Sequence, residues 1–376
     1  MTESVKKSKM KKVAIIGGGI VGATAAYLLS KESKYAVTLY DSGEYQATKA
    51  AAGIISPWLS KRRNRQWYAL AKDGAAYISE LAEETQMKPD TYLKSGTIVT
   101  RKQSADVDEL EQLALKRRES APEMGEIKRV NAENIRHLLP LVTADLEGIF
   151  ISGGAHIDGD RFVSHLLKLG EKHGLKVINN QVKLVNEQTV LMDEKEKTFD
   201  YIFVCAGSGI NELLDSLNYE VLVHPQKGQL IELAVPKYPT DISAPVLMPE
   251  GEKDFMPLGH GKLIIGATHE NNPENKTDFT EAALHELLTS AMQIDNNLKE
   301  KDLVGTRVGM RAFTDDFAPF FGWLPNSQHI LVASGLGSSG LTTGPLIAKL
   351  MVSLLESPHL FSNYEKEISN YVHEKG

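Results

Sequence analysis

The chain has 376 residues, of which 24% are charged and 42% hydrophobic, the composition of an ordinary globular protein large enough for two domains. A formal net charge of -7 argues against a nucleic-acid-binding protein, because such proteins need a basic surface. The single cysteine, Cys205, excludes an internal disulfide and any CxxC metal or redox motif. The composition therefore favours a cytoplasmic globular protein.

The chain opens with a lysine-rich leader and an apolar run, a combination shared by two kinds of segment. A secretory signal peptide has this form, but three consecutive glycines at 17–19 would weaken a membrane-inserted helix, and no cleavage site follows. No other stretch approaches the roughly 18 apolar residues of a transmembrane helix. The sequence therefore favours the other kind of segment, the first strand, turn and helix of a dinucleotide site.

Residues 13–41 have the pattern of a strand, a glycine turn, a helix and a second strand. The β-branched run at 13–16 predicts a buried parallel strand, and the apolar spacing of residues 20–33 predicts a helix. Asp41 ends the second strand, where a carboxylate binds ribose hydroxyls. The residues predicted to face the diphosphate or to close the turn are Gly17, Gly19, Ile20, Val21 and Gly22.

A second glycine pattern, formed by Gly335, Gly337 and Gly340, follows the strand-like segment HILVAS near the end of the chain. It precedes a helix-like segment, but no second strand ending in an acid follows it. Only the N-terminal copy therefore has the complete order of a dinucleotide-binding unit.

The residues that follow Asp41 favour a flavin as the ligand of this unit. Ala51, Ala52 and Gly53 are small enough for the backbone to approach a flat ring, and Thr48 has a hydroxyl for phosphate or ribitol. A tight helix start packed against the sheet is the structural alternative. Six later segments follow in the order found in the D-amino-acid oxidase family of FAD enzymes, which the chain resembles. They are 153–178, 199–209, 224–233, 261–270, 309–325 and 334–345. The resemblance is greatest to its glycine oxidase, sarcosine oxidase and D-amino-acid dehydrogenase branch.

The resemblance implies an α/β fold in which a Rossmann-like FAD-binding domain is joined to an α+β substrate domain built on a mixed or antiparallel sheet. The FAD-binding domain is expected at 10–85, 153–218 and 306–366, and the substrate-binding domain at 86–152 and 219–305. FAD is expected to bind without a covalent link. The further cofactor-binding residues that the resemblance suggests are Ser42, Ile54, Val182, Ala206, Gly207, Gly209, Arg311, Gly335, Gly337, Ser338, Ser339, Gly340, Leu341 and Thr342.

The start of the last helix has two interpretations. Its first N–H groups, near Gly340–Thr342, would stabilise negative charge on a reduced flavin, with Ser338 and Ser339 as further donors. Serine and threonine are equally favoured as ordinary helix caps, so both interpretations stay open.

Arg311 is the candidate anchor for a substrate carboxylate, because a guanidinium binds a carboxylate through two parallel hydrogen bonds. The alternative is an ion pair with nearby Asp315 or Asp316, whereas Arg307 is expected to make a structural ion pair. His260 is a weaker catalytic candidate, since it flanks a predicted strand of the substrate domain, as His269 does.

The resemblance implies oxidative deamination of glycine or another small amino acid or secondary amine acid. A hydride leaves the α-carbon for the flavin, and the imine is then hydrolysed. The implied partners are the amine substrate and molecular oxygen or another electron acceptor, without nucleic acid or a transmembrane segment; a homo-oligomer stays open. The alternatives are a membrane-associated D-amino-acid dehydrogenase that reduces quinone and a non-catalytic FAD-binding subunit. No metal motif is present in the sequence.

Overall fold

The computed structural model describes residues 10–45, 47–60, 64–238, 241–251, 253–271, 273, 277–357, 364 and 366–376. The α-helices in these ranges are α1 Ile20–Ser30, α2 Ala47–Ala50, α3 Arg65–Glu84, α4 Ser104–Arg118, α5 Ala132–Leu138, α6 Gly159–Lys172, α7 Ile210–Asp215, α8 Glu281–Ile294 and α9 Gly340–Leu354.

The strands are interspersed with these helices along the chain, in several places as runs of consecutive strands. They are β1 Lys11–Ile16, β2 Tyr35–Tyr40, β3 Ile54–Ile55, β4 Tyr92–Leu93, β5 Thr97–Arg101, β6 Ile127–Val130, β7 Glu147–Ile151, β8 Ala155–Ile157, β9 Lys176–Ile178, β10 Lys183–Asn186, β11 Thr189–Met192, β12 Lys195–Thr198, β13 Tyr201–Val204, β14 Tyr219–Val221, β15 His224–Ala234, β16 Val246–Met248, β17 Asp254–Gly259, β18 Lys262–Gly266, β19 Glu270–Asn271, β20 Leu303–Phe313, β21 Phe320–Trp323, β22 Ile330–Ser334 and β23 Val372–Glu374.

A six-stranded sheet with the order β21-β22-β13-β1-β2-β9 forms the centre of one half of the molecule. Its neighbouring strands are parallel, except for the antiparallel pair β21 and β22. Val13 and Ile15 pack against α1, α3, α6 and α9 on one face, while Ala14 and Ile16 pack against apolar residues on the other. Because both faces are buried, β1 is apolar at consecutive positions.

The second large sheet is mixed, with the order β19-β15-β18-β17-β16-β5-β7-β6 and β20 paired to the free side of β15. Its pairs are antiparallel apart from β16 and β5. One face packs against α5 and α8 in an apolar core. A smaller apolar cluster, which includes Leu230, Met256 and Ile264, lies on the opposite face. The α/β fold with a second mixed sheet, expected from the sequence, is confirmed.

The strands of the six-stranded sheet come from three separate stretches of the chain, at 11–40, 176–204 and 320–334. The predicted division into FAD-binding and substrate-binding ranges stays a prediction, but strand pairing corrects one detail of it. Residues 306–313 were assigned to the FAD-binding ranges, whereas they form most of β20, which pairs with β15 of the mixed sheet. The strand that carries Arg311 therefore belongs to the second sheet.

Two predicted elements end earlier than the sequence pattern suggests. Residues 107–125 have the pattern of a charged helix in the sequence, but α4 ends at Arg118, and Pro122 begins a separate turn of 3-10 helix. Proline has no N–H to continue the α-helical hydrogen bonds. The strand expected over 261–270 is interrupted after Gly266, and Ala267 and His269, which follow the interruption, line the space between the two sheets.

Candidate active site

A cavity of about 750 Å³ lies between the carboxyl ends of the parallel strands and the mixed sheet. Ile16, Tyr40 and Cys205, at or just after the ends of β1, β2 and β13, line one side of it, and Leu230 and Gly266 of the mixed sheet line the other. Its volume is in the range of cofactor and ligand pockets, and its position is typical of binding sites in α/β proteins.

The turn between β1 and α1 consists of glycines, whose backbone lines the cavity without side chains. Gly17 has a φ of +105°, and a Cβ at this position would lie 2.3 Å from the carbonyl oxygen of Cys205, so a side chain fits neither the conformation nor the space. Helix α1 begins after Gly19, the N-cap residue, which has no side chain to cap the helix. The Ile20 N–H donates instead to Thr48 Oγ1 at 3.0 Å. A helix N-terminus that begins in a glycine turn is suited to bind an anionic group.

Asp41 follows β2 and lines the cavity beside the same turn. A Cβ at Gly18 would lie 2.8 Å from Asp41 Oδ2, which shows how close the carboxylate is to the glycine backbone. Its other oxygen accepts a hydrogen bond from the Gly43 N–H at 3.4 Å. The arrangement places a carboxylate next to the predicted diphosphate position, as ribose binding requires.

The start of α9 also faces the cavity, through Gly340, Leu341 and Thr342. The N-cap residue, Ser339, makes no capping hydrogen bond to the helix. Its hydroxyl instead donates to the carbonyl oxygen of Leu336 at 2.9 Å and accepts from Trp67 Nε1 at 3.1 Å. Ordinary capping by Ser339 is therefore absent. A second helix N-terminus is directed at the cavity without a side-chain cap.

The structure brings together the predicted cofactor-binding residues, with two exceptions. Gly22 packs against the carbonyl oxygen of Gly17, where a Cβ would come within 1.9 Å, and Gly335 lies in the bend before α9 with a φ of +74°. The residues that line the cavity are Gly17, Gly19, Ile20, Val21, Asp41, Ser42, Thr48, Ala51, Ala52, Gly53, Ile54, Val182, Ala206, Gly207, Gly209, Arg311, Gly337, Ser338, Ser339, Gly340, Leu341 and Thr342.

Arg311 extends from β20 across β15 into the same cavity. Its Nη1 donates to Gln226 Oε1 at 3.0 Å and to the carbonyl oxygen of Thr268 at 3.1 Å. Gly228 leaves room for the guanidinium, since a Cβ there would lie 2.8 Å from Nη2. Burial lowers the pKa of Arg311 to about 10, so the group still carries its charge at pH 7.

The two acids that the sequence offers as partners of Arg311 are engaged elsewhere. Asp315 lies 3.2 Å from a histidine ring, and Asp316 accepts hydrogen bonds from a lysine and a tyrosine. Arg307 makes the predicted structural ion pair, with Glu232. Within the described ranges Arg311 has only neutral oxygen partners, which leaves a desolvated cation directed at the cavity.

The prediction that His260 lies near the active site is wrong. This residue is exposed in the tight turn between β17 and β18, with a φ of +52°, and the cavity is at the opposite end of that hairpin. His269 follows β18 at the cavity end and does line it. The register of the hairpin therefore separates two histidines that look equivalent in the sequence.

Cys205 is buried and has no disulfide partner. Burial raises the pKa of its thiol to about 12, so it stays protonated and behaves as a small apolar residue.

In the described part of the chain, no group of three histidine, cysteine or acidic residues is arranged to hold a metal ion. No helix in those ranges is long and apolar enough to cross a membrane.

Several residues that line the cavity were not predicted from the sequence, among them Trp67, Gly228 and Asp254. A glycine inside a predicted strand often marks a close approach by another group, which was a usable signal for Gly228. Asp254 is a charged residue at the start of an apolar strand, but only the strand pairing shows that it faces the cavity.

Comparison with known proteins agrees with this architecture. The sequence profile of the FAD dependent oxidoreductase (DAO) family matches residues 12–354. An uncharacterized oxidoreductase of Bacillus subtilis, YurR, is 38% identical over 92% of this chain and 95% of its own length. The glycine oxidase of Pseudomonas putida is 25% identical over 92% of this chain and 94% of its own. The crystal structure of iminodiacetate oxidase from Chelativorans superposes with a TM-score of 0.87 at 30% identity, covering 96% of this chain and 98% of that one.

The glycine turn, the acid after β2 and the two helix N-termini define a dinucleotide-binding oxidoreductase fold. The chain belongs to the family of FAD-dependent oxidoreductases that its residues 12–354 match. FAD is accordingly its cofactor.

Proposed function

We propose that the protein oxidises a small carboxylic acid that bears an amine, with FAD as the electron acceptor. The observation that carries this proposal is Arg311, a half-buried cation without an acidic partner in the described ranges, in the cavity that contains the glycine turn. The named relatives support it, because glycine and iminodiacetate both combine a carboxylate with an amine.

The cavity fits FAD at several points. The backbone at Gly17 and Gly19 and the N-terminus of α1 would hold the diphosphate, and Asp41 would bind ribose hydroxyls. The uncapped start of α9 would stabilise negative charge on the ring system. Bound FAD supplies the acceptor for a hydride and thereby a two-electron oxidation.

The main role of the protein in the reaction is to bind and orient the substrate. Arg311 would hold the carboxylate in a site where burial strengthens the ion pair. With the carboxylate fixed, the adjacent carbon is held in one orientation, which lowers the entropic part of the barrier. The substrate loses a hydride from the carbon that bears the nitrogen and a proton from the nitrogen, and water then hydrolyses the imine.

An anaerobic screen of the purified holoenzyme tests this proposal. Glycine, sarcosine, iminodiacetate and D-amino acids are each added while the visible absorbance of the flavin is followed. We expect at least one amine acid to bleach the flavin, and subsequent addition of oxygen to restore the colour and produce hydrogen peroxide. Reoxidation by a quinone analogue but not by oxygen would identify a dehydrogenase, and a flavin that no amine acid bleaches would contradict the proposal.

A further inference from the structure

Asp254 is the charged residue at the start of β17, and it lies among apolar side chains. Residues two apart on a strand point to the same side, so Asp254 shares its face with Met256 and Leu258. These two residues belong to the apolar cluster on the cavity side of the mixed sheet. Asp254 itself lines the cavity, so its carboxylate is in an apolar wall of the proposed substrate site.

The Asp254 carboxylate has no partner that would explain its presence there. Among the residues the structure describes, no donor is hydrogen-bonded to it, and the neighbouring Lys253 is paired with Glu286 of α8 at 2.6 Å. Burial raises the pKa of Asp254 to about 7, which shows that the ionised form is costly in the absence of a ligand. Carboxylates kept in such surroundings are common at functional sites.

The sheet register relates Asp254 to Arg311. Asp254 pairs with Gly266 of β18, which in turn pairs with Leu230 of β15. The guanidinium of Arg311 lies over Gly228, two residues from Leu230 on β15. Two strand spacings and two residues of rise separate the Cα atoms of Asp254 and Gly228 by about 12 Å. A carboxylate and a guanidinium therefore line one cavity, and the distance between them is one that a small molecule can span.

We propose that Asp254 binds the amine of the substrate while Arg311 binds its carboxylate, so that the cavity selects zwitterionic amine acids over acids without a nitrogen. This inference rests on the proposed function and names the feature of the substrate that the site recognises. Asp254 would form a charge-assisted hydrogen bond with the ammonium group, and the two contacts together would fix the orientation of the carbon between them.

Pairs of ligands that differ in one atom test the role of Asp254. Sarcosine and iminodiacetate carry a nitrogen where methoxyacetate and diglycolate carry an ether oxygen, and all four have the carboxylate that Arg311 would bind. Each ligand is titrated anaerobically into FAD-loaded wild type, Asp254→Asn and Glu286→Gln. Perturbation or bleaching of the flavin spectrum reports binding whether or not turnover occurs. Glu286→Gln is the matched control, since it removes a carboxylate that pairs with Lys253 outside the cavity.

We expect Asp254→Asn to weaken binding of the amine ligand by about 10- to 100-fold, the usual cost of losing a hydrogen bond to a charged group. The ether analogue should bind equally well or more tightly, because the substitution removes a negative charge. Glu286→Gln should leave both affinities unchanged, and Asp254→Glu should retain the preference for the amine. FAD content and the melting temperature confirm that each variant is folded.

Equal losses for the amine and the ether, or no loss for either, would overturn the role of Asp254. So would a wild type that binds none of the four ligands. If the wild type binds amines in preference to ethers but no amine acid bleaches its flavin, the proposed oxidation fails while the recognition by Asp254 is still tested. The two proposals therefore fail by different observations.

Discussion

The two ends of the cavity are built in different ways. At the end near α1, the contacts are backbone groups and small residues from one continuous strand–turn–helix–strand unit. At the other end, Arg311 and Asp254 come from distant strands that meet only through the register of the mixed sheet. The first end depends mainly on glycines that leave the backbone accessible, whereas the second depends on two specific charged side chains. Substitutions should therefore separate cofactor binding from substrate recognition.

The largest effect is expected from Arg311→Met, which removes the charge at the substrate end. The kcat/KM for amine acid oxidation should fall by a factor equivalent to about 2–5 kcal/mol of transition-state stabilisation, because one partner of a desolvated ion pair is removed. FAD content should stay at the wild-type level. Steady-state kinetics and the absorbance ratio of flavin to protein measure the two quantities.

Arg307→Met is the matched control for that experiment, since Arg307 lies on the same strand but pairs with Glu232 outside the cavity. Its kcat/KM should match that of the wild type. Comparable losses in both variants would mean that β20 is disturbed and that Arg311 has no particular role.

At the other end of the cavity, Gly17→Ala should impair cofactor binding. The substitution places a side chain at a φ of +105° and 2.3 Å from a backbone oxygen, which we expect to cost about 3 kcal/mol and to weaken FAD binding roughly 100-fold. Quenching of flavin fluorescence during titration measures the dissociation constant.

Gly174→Ala is the control for Gly17→Ala, because it introduces backbone strain at a positive φ without a steric clash. Gly174 also has a positive φ, +91°, but no atom lies within 4 Å of an added Cβ. This variant should bind FAD normally. Similar FAD losses in both glycine variants would show that general destabilisation, rather than the shape of the turn, explains the result.

Asp254→Asn should change the pH dependence of stability. Because the folded-state pKa, about 7, is above the unfolded value, the folded protein binds the extra proton and loses stability as the pH rises from about 4 to 7. At pH 8 the free energy of unfolding of the variant should therefore exceed that of the wild type by about 2 kcal/mol. This is roughly half of what the pKa shift would give if the folded protein did not relax around the charge. Denaturant unfolding at pH 4, 6 and 8 measures the difference.

Asp241→Asn is a control of opposite sign. Asp241 is exposed and accepts a hydrogen bond from the Ser243 N–H, which lowers its pKa. Its removal should therefore decrease stability at neutral pH relative to acid pH. A stability difference for Asp254→Asn that does not change with pH would contradict the half-buried carboxylate without a hydrogen-bond donor described above.

The smallest effect is expected from Gly228→Ala. Its added Cβ would lie 2.8 Å from the guanidinium of Arg311, a flexible group that moves at little cost to folding. We expect binding of the carboxylate to weaken by about 1 kcal/mol with the melting temperature unchanged, a modest loss for one displaced hydrogen-bonding group. Gly305→Ala on β20 is the control, because Gly305 lies outside the cavity. Equal kinetic losses in the two variants would exclude a positioning role for Gly228.

The contrast between the two ends also explains how much the sequence could predict. Gly17, Gly19 and Asp41 lie within one short unit, where spacing alone determines which groups meet. Arg311 was found through the resemblance of its segment to a known family. Asp254 could not be found in that way, because its position opposite Arg311 depends on pairings among β15, β17, β18 and β20.

The histidines illustrate the same limit. His260 and His269 lie at the two ends of one predicted strand, and nothing in the local pattern distinguishes them. The tight turn at His260 places it away from the cavity, and the interruption after Gly266 brings His269 into the lining. Tertiary pairing, rather than local propensity, decides such cases.

A crystal structure of the FAD-loaded protein with methoxyacetate or diglycolate tests the central claim most directly. We expect the FAD diphosphate at the N-terminus of α1 and a ligand carboxylate within hydrogen-bond distance of the Arg311 guanidinium. A ligand carboxylate bound elsewhere in the cavity, with that guanidinium still held only by Gln226 and Thr268, would contradict it.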